Sequence, residues 1–401
     1  MSEVVFRPKR PVYLFVLPWS LEHGGGVNQV VLNLAREMQR SGAFEPLLLV
    51  IDWNAPQPQW GETMGIPMLR WRVRQYQSPL GIKEGLVYRL WEVRFRPAFL
   101  RLCRSYGVAA VNVHYPVPAT FALQRACAAA QPPLPLLLSF HGTDASSLQQ
   151  CQPAQLAQWR ALLLGAHSVV ACSRALRAEL MALFGDSVRP AIIHNGLDGE
   201  AFRALGGAPA QRGERIILSV GKFVGIKGQD VLINAFALLA ADYPGTRLQL
   251  VGAAGDALAA LRERVAQRGL ADRVQFLVDL PHREVASCFS RAELFVLPSR
   301  RETFGIVLLE AGAFALPVVA TRVGGIPEVV GEGETARLVP ADDETALADA
   351  MRALLDAPEA ARAMGARLQR HAQANFSWRS GCAAYAALVA APMSLPAEAA
   401  A

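Results

Sequence analysis

Little of this 401-residue sequence is charged, and little of it is cysteine. Charged residues make up 18% of the chain against 52% hydrophobic. That balance excludes a disordered chain and suits parallel sheets buried on both faces. The six cysteines, Cys103, Cys127, Cys151, Cys172, Cys288 and Cys382, contain no CxxC pair and no Cys/His cluster at zinc spacing. A disulfide framework and a structural zinc site are therefore not expected, and unbridged thiols in a reducing compartment are. No apolar run reaches the length of a membrane helix. The apolar stretch Val12–Leu17 behind Arg7, Lys9 and Arg10 is short, ends at Pro18-Trp19 and lacks a small-residue cleavage site. It reads as a first strand rather than a signal peptide, with a cytoplasmic chain as the expectation. A GxGxxG fingerprint is missing too, which counts against a dinucleotide oxidoreductase.

What is present is a repeated alternation of short apolar runs with helical patterns. The runs Val12–Leu17, 47–51, 109–114, 134–140 and 168–172 predict one doubly wound α/β sheet. A second set follows at Arg215–Val220, 247–251, Val274–Val278, Leu294–Leu297 and 317–320. Leu205-Gly206-Gly207-Ala208-Pro209 has the composition of a linker between them. Two Rossmann-like domains are expected, 1–205 and 213–375, with a cleft between them. The positive charge is uneven: residues 1–212 carry 21 basic and 13 acidic side chains, and residues 213–375 carry 18 and 20.

The chemistry concentrates in residues 299–330. A strand end, a tight turn at Thr303-Phe304-Gly305 and a helix place Glu302 just before the helix and Glu310 two turns along it. Both carboxylates can then face one site at the carboxyl edge of a sheet. The helix start would offer the amides of Gly305, Ile306 and Val307 to phosphate. A solvated helix residue and a dipole-favoured carboxylate would account for an isolated pair of acids at this spacing.

The segment ETFGIVLLE followed by LPVVATRVGGIPEVV resembles the glutamate-x7-glutamate region of the retaining glycosyltransferases of family 4, which have the GT-B fold. With the matches below, the resemblance covers nearly the whole chain. It implies that Glu302 holds the donor sugar and Glu310 the ribose, with Phe304 to Val307 beside the phosphates. The sequence departs at Phe314-Ala315, where a small pair is common in the family. It further implies a C-terminal helix, 376–392, returning to the first domain, and a reaction without a metal.

Other segments carry the same resemblance. His23-Gly24-Gly25-Gly26-Val27 precedes a helix and resembles the first glycine loop of the family, with Gly25 and Gly26 facing donor phosphate. SFHGTD places His141 at a strand end, and the resemblance puts it near the reacting carbon of the sugar. Asp144 either orients that loop, reaches the acceptor or caps the next turn. Ser173 reads as a helix cap. Lys222 and Lys227 flank a glycine-containing loop and resemble the family's two phosphate-holding cations, with Lys222 in an arginine position. Lysine keeps the charge there but loses the bidentate fork. Leu280 lies where the family reads the nucleotide base. Gly324-Gly325 and Glu328 are explained by a turn and a helix cap.

Between residues 70 and 104 lie Arg70, Arg72, Arg74, Lys83, Arg89, Arg94, Arg96, Arg101 and Arg104 against only Glu84 and Glu92. A helix over 85–104 would put Tyr88, Trp91, Phe95, Phe99 and Leu102 on one face, with Pro97 kinking it. That face is either core or a peripheral contact with the inner face of the membrane. Nucleic acid is not expected, since no recognised binding module accompanies the basic patch.

The resulting expectation is a retaining, metal-independent glycosyltransferase with no cofactor beyond a nucleotide diphosphate sugar, UDP- or GDP-linked. Its acceptor would be a glycan or lipid-linked glycan of cell-surface polysaccharide or lipopolysaccharide synthesis. A GT-B sugar-nucleotide epimerase and a non-catalytic nucleotide- or carbohydrate-binding protein are the alternatives.

Overall fold

The computed structural model describes residues 6–21, 26–76, 81–207, 215–331 and 333–391. They divide into two compact units, Met1–His194 with Trp378–Ala401, and Asn195–Ser377.

The first unit is built on an eight-stranded sheet: β1 (Val12–Leu17), β2 (Glu45–Ile51), β3 (Gln59–Thr63), β4 (Ile66–Trp71), β5 (Val108–His114), β6 (Leu136–Phe140), β7 (Ser168–Ala171) and β8 (Ala191–Ile192). The order is β3-β4-β2-β1-β5-β6-β7-β8. Every neighbouring pair is parallel except β3 with β4. All six residues of β1 are fully buried, as a central strand covered on both faces must be. From β1 the chain runs outward through β2 and then returns to β5 on the other side, so the carboxyl ends of β1 and β5 form a topological switch point. The β3–β4 hairpin was not legible in advance because QWGET is polar. Its turn, Met64-Gly65, has positive φ at both residues, the geometry that matches strand twist in a two-residue hairpin.

The helix Trp378–Ala390 lies in this unit. It packs on the helix Gly26–Ser41, with Cys382 Sγ 3.3 Å from the carbonyl oxygen of Leu34. Farther along it, Tyr385 hydroxyl stands 3.0 Å from Ser139 Oγ on β6.

The second unit holds a six-stranded, wholly parallel sheet: β9 (Arg215–Val220), β10 (Thr246–Gly252), β11 (Val274–Val278), β12 (Leu294–Leu297), β13 (Val318–Thr321) and β14 (Arg337–Val339). Its order is β11-β10-β9-β12-β13-β14, so β9 and β12 are neighbours and the switch point lies between them. Leu232, Phe236, Leu250 and Val296 form part of the core on one face.

Two expectations need correction. The change of unit falls at His194/Asn195, not at the Gly/Pro-rich segment. The helix Gly199–Leu205 buries Phe202 against Phe289 and Phe314 of the second unit, and this apolar burial outweighs the linker-like composition after it. Residues 208–214 lie outside the described part. The long helix starts earlier than the expected 85–104, spanning Ile82–Ser105 with Pro97 inside it. Its aromatic face is core: Tyr88, Phe95 and Phe99 are buried, Trp91 stacks on Phe95 at 4.6 Å, and Trp71 of β4 packs on Phe95 at 5.0 Å.

Phe314 also finds its explanation. It stacks on Phe289 with centroids 6.1 Å apart and takes an edge contact from Phe202, closing an aromatic cluster at the end of the helix Ile306–Ala313.

Candidate functional site

In the second unit the loops after β9 and β12 meet across the switch point. β9 runs into Gly221 and a single turn, Gly225–Lys227. Gly228 closes that turn at φ 64°, and a Cβ there would stand 2.1 Å from the carbonyl oxygen of Pro298. Only glycine lets the two loops approach so closely. Lys227 Nζ then donates to Glu302 Oε2 at 2.7 Å, with both side chains largely buried.

A residue the sequence reading missed holds this arrangement. The Arg300 guanidinium donates to both oxygens of Asp230 (2.8 and 2.7 Å), to Asp342 (2.6 Å) and to the carbonyl of Gly225 (2.6 Å). Its backbone N–H donates to the Ile226 carbonyl at 2.9 Å. The Asp230 carboxylate raises the Arg300 pKa further above its ordinary value. Planar bidentate pairing of this kind gives direction as well as charge. It clamps the Lys227 turn to the Glu302 loop. The only sequence sign was the basic pair Arg300-Arg301 ahead of the acid.

Gly324 and Gly325 support the same loop from the other side. A Cβ at Gly324, whose φ is 50°, would lie 1.9 Å from the Glu302 carbonyl oxygen, and one at Gly325 would lie 2.3 Å from that of Thr303. Gly325 N–H donates to the Glu302 carbonyl at 3.0 Å. The pair is therefore more than a turn and cap: it is the surface on which the Glu302 loop rests.

The helix Ile306–Ala313 starts directly after that loop. Gly305 enters it at φ 91°, ψ 57°, a left-handed conformation that disfavours any side chain. The N–H groups of Ile306 and Val307 have no carbonyl one turn earlier within the helix and are the donors the helix start offers. Phe304 is anchored inward, its ring edge-on to Phe376 at 5.8 Å, so only its backbone can face a ligand.

Two turns along, Glu310 is buried, with Oε1 3.8 Å from Nε2 of His282. His282 opens the helix His282–Arg291 after β11, and the Glu310 carboxylate beside it raises its pKa above the usual histidine value. Leu280 sits half-buried between β11 and that helix, after Asp279, whose φ is 53° and whose Oδ1 accepts from Ala254 N–H at 3.0 Å. The two acids thus have different basic partners, Lys227 for Glu302 and His282 for Glu310. Lys222 is exposed and is not a member of the Lys227–Glu302 pair.

In the first unit, His141 follows β6, and its Nε2 lies 3.0 Å from Nδ1 of His114 at the end of β5. His114 is fully buried, and its Nε2 has no hydrogen-bond partner among the described residues. An orphaned buried N–H is rarer than an orphaned acceptor. The arrangement therefore favours His114 with its proton on Nδ1, donating to His141 Nε2, which leaves His141 with its own proton on Nδ1. Burial lowers the His141 pKa to about 4, so the ring is neutral near pH 7. Asp144 is buried and accepts from the backbone N–H groups of His141, Gly142 and Ala145, so it orients the His141 loop. Burial pushes its carboxyl up to about 6 against the pull of those donors. Beneath the histidines, Ser139 Oγ donates to Asn112 Oδ1 at 2.9 Å, and Asn112 Nδ2 donates to the Tyr13 hydroxyl at 3.0 Å. Ser173 Oγ caps its helix by accepting from Leu176 N–H. Gly26 opens the helix Gly26–Ser41 and is exposed, whereas His23, Gly24 and Gly25 lie outside the described residues.

No cysteine forms a disulfide, and no group of three or more His, Cys, Asp or Glu among the described residues is disposed to hold a metal ion.

Residues 24–201 match the family model described as Glycosyltransferase Family 4, and residues 207–371 match that of Glycosyl transferases group 1. The chain is 34% identical over 218 residues to the D-inositol 3-phosphate glycosyltransferase of Streptomyces avermitilis, covering 51% of this chain and 47% of the relative. It is 34% identical over 231 residues to the GDP-mannose-dependent alpha-(1-6)-phosphatidylinositol monomannoside mannosyltransferase of Mycolicibacterium smegmatis, covering 54% and 60%. The chain spans about half the length of the curated relatives it matches. In fold it is similar to the sucrose-phosphate synthase of Thermosynechococcus elongatus, with a TM-score of 0.74 over 95% of this chain and 98% of that one at 24% identity. The fold class is α/β of the GT-B type.

Proposed function

We propose, from the premise that this chain belongs to the group 1 glycosyltransferases of family 4, that it moves a sugar from a nucleotide diphosphate sugar to an acceptor hydroxyl with retention at the anomeric carbon. The observation that carries the reading is the Lys227–Glu302 pair at the β9/β12 switch point, beside the start of the helix bearing Glu310.

The charges support a simple exchange. A diphosphate carries more negative charge than one carboxylate, so an arriving donor competes for Lys227 and frees the Glu302 oxygens for sugar hydroxyls. Lys227, the exposed Lys222 and the N–H groups of Ile306 and Val307 then stabilise the charge that grows on the departing diphosphate. Glu310 accepts from the ribose, and Leu280 borders the base. His141 is assigned to the donor sugar on the resemblance of its segment, as are Gly25 and Gly26 to the phosphates. In this scheme no metal is required of the protein, because side-chain cations and helix amides neutralise the leaving group.

A UDP- or GDP-sugar is the donor class. The acceptor is a glycan or lipid-linked glycan of cell-surface polysaccharide or lipopolysaccharide synthesis, and the enzyme works in the cytoplasm.

A thermal-shift screen against UDP-, GDP- and ADP-sugars tests this. A ligand at a hundred times its Kd stabilises the native state by about 2.7 kcal/mol. The expected result is a raised Tm with one donor class in the wild type and none in Lys227→Ala. No shift with any donor rejects the reading. Release of free nucleoside diphosphate from the donor without any acceptor would point instead to a sugar-nucleotide epimerase.

A further inference from the structure

With its aromatic face committed to the core, the helix Ile82–Ser105 should show only polar residues outward, and it does not. Ile82, Leu86, Leu90 and Val93 are 94%, 59%, 54% and 67% exposed. At about 100° per residue they fall within roughly an 80° arc, one continuous apolar stripe on the outer side of the helix. Exposed basic residues border it on both sides, Arg89 and Arg96 along one edge and Lys83 and Arg94 along the other. The two acids of the helix project away from the stripe, and both are engaged: Glu92 with Arg125, and Glu84 with the N–H of Gly81.

A second observation lies beside the stripe. A cavity of about 400 Å³ is lined by Trp53, Arg74, Lys83, Glu84 and Val87 among others. Arg74 is one of its lining residues, and the Arg74 Nε is buried without a hydrogen-bond partner among the described residues. A guanidinium N–H taken out of water and left without an acceptor is costly, and a phosphate oxygen would remove that cost. Trp53 is 52% exposed, an amphipathic ring suited to the headgroup level of a bilayer.

We infer that this face of the helix docks on an anionic phospholipid surface, with the stripe entering the acyl boundary, the flanking basic residues lying over lipid phosphates and Arg74 with Lys83 receiving one headgroup phosphate. Charge decides the occupant. Packing the stripe on a second copy of itself would bring two rows of arginines together without counter-charge, whereas an anionic bilayer complements both rows. Among the described residues no helix is long and apolar enough to cross a membrane, so contact here is at the surface. The inference does not depend on the enzymatic reading.

Flotation of the full chain with vesicles tests it, using phosphatidylcholine alone and phosphatidylcholine with one-third phosphatidylglycerol. Binding is expected to the anionic vesicles and to weaken with salt. The double variant Leu86→Asp/Leu90→Asp should lower the partition coefficient about tenfold or more while keeping the wild-type Tm. Arg89→Glu/Arg94→Glu should do likewise and flatten the salt dependence. Arg74→Gln should reduce binding to anionic vesicles severalfold. Equal partition of wild type and both double variants would overturn the proposal, as would absence of binding to anionic vesicles. A wild-type dimer that Leu86→Asp/Leu90→Asp converts to monomer would also overturn it, assigning the face to a second copy.

Discussion

Lys227 and Glu302 are 75 residues apart in the chain, yet the lysine ammonium donates to the carboxylate at 2.7 Å across the junction of β9 and β12. Each occupies its partner before any ligand arrives. The pair is worth little as a stabilising ion pair, because removing its charges from water offsets much of their attraction. It places an ammonium and a carboxylate within one hydrogen bond of each other, and on the proposed function these divide between a diphosphate and a sugar.

Removing the ammonium should therefore affect both stability and chemistry, since it leaves the Glu302 carboxylate largely buried and unpaired. Lys227→Ala is expected to lower kcat/KM for the donor by about 10²- to 10³-fold, roughly 3–4 kcal/mol of transition-state stabilisation. Lys222→Ala, at an exposed position, should cost about tenfold or less, and Lys222→Arg should not be harmful. Initial-rate measurements with the donor identified by thermal shift decide this. Unchanged turnover in Lys227→Ala would remove the lysine from the reaction.

The glycine pair supporting the Glu302 loop makes a stability prediction. Gly324→Ala forces a Cβ onto a backbone carbonyl at a positive φ and should cost about 2–4 kcal/mol. Thermal melting should register this as a drop of several degrees, with donor-induced stabilisation lost as well. Gly245→Ala is the control, since nothing lies within 4 Å of the place its Cβ would take and it should be nearly neutral.

His282 and Glu310 predict a pH signature. The folded-state pKa of His282 lies above 6.5 because of Glu310. Its contribution is present in full below pH 6.5 and is lost as the pH rises through the raised value. The Tm difference between wild type and His282→Asn should be greatest on the acid side and vanish at alkaline pH. A difference that grows with pH would contradict the pairing. In ¹⁵N-histidine spectra, Glu310→Gln should move the His282 midpoint back towards 6.5.

His141 has the opposite sign. With its pKa held at about 4 against the ordinary 6.5, the unfolded chain takes up the proton first, so stability falls as the pH drops from 6.5 towards 4. Asp144, held near 6 against 3.8, works the other way over an overlapping range, because there the folded state takes up its proton first. Asp144→Asn should accordingly steepen the acid-side loss of stability. At pH 7 the ¹⁵N shifts should show His141 protonated at Nδ1 and not at Nε2. His114→Phe, which removes the donor facing Nε2, should produce a mixture of the two tautomers.

Much of this protein was written in local patterns. Apolar runs such as Val12–Leu17 and Leu294–Leu297 identify buried parallel strands because a strand covered on both faces has no polar side. Residues that must leave such strands at their carboxyl ends, Lys227, Glu302 and His141, stand out by position alone. The bounds of the strands differed from expectation by a few residues, as for β2 and β13, because the last ladder bonds depend on the neighbouring strand.

Sequence by itself determined the two α/β units, the strand ends at which the candidate site residues leave the sheets and the family to which the chain belongs, since each depends on local hydrophobic period or on residue identity at short spacing. Only the tertiary structure decided that Arg300 clamps the Lys227 turn, that His282 faces Glu310, that Gly324 must lack a side chain, that Phe202 carries the helix after Asn195 into the second unit, and which face of the helix Ile82–Ser105 meets solvent. The physical reason is common to all five. Each depends on which distant backbone or ring comes within a few ångströms, and that is set by strand order and packing, to which no local pattern of residues refers.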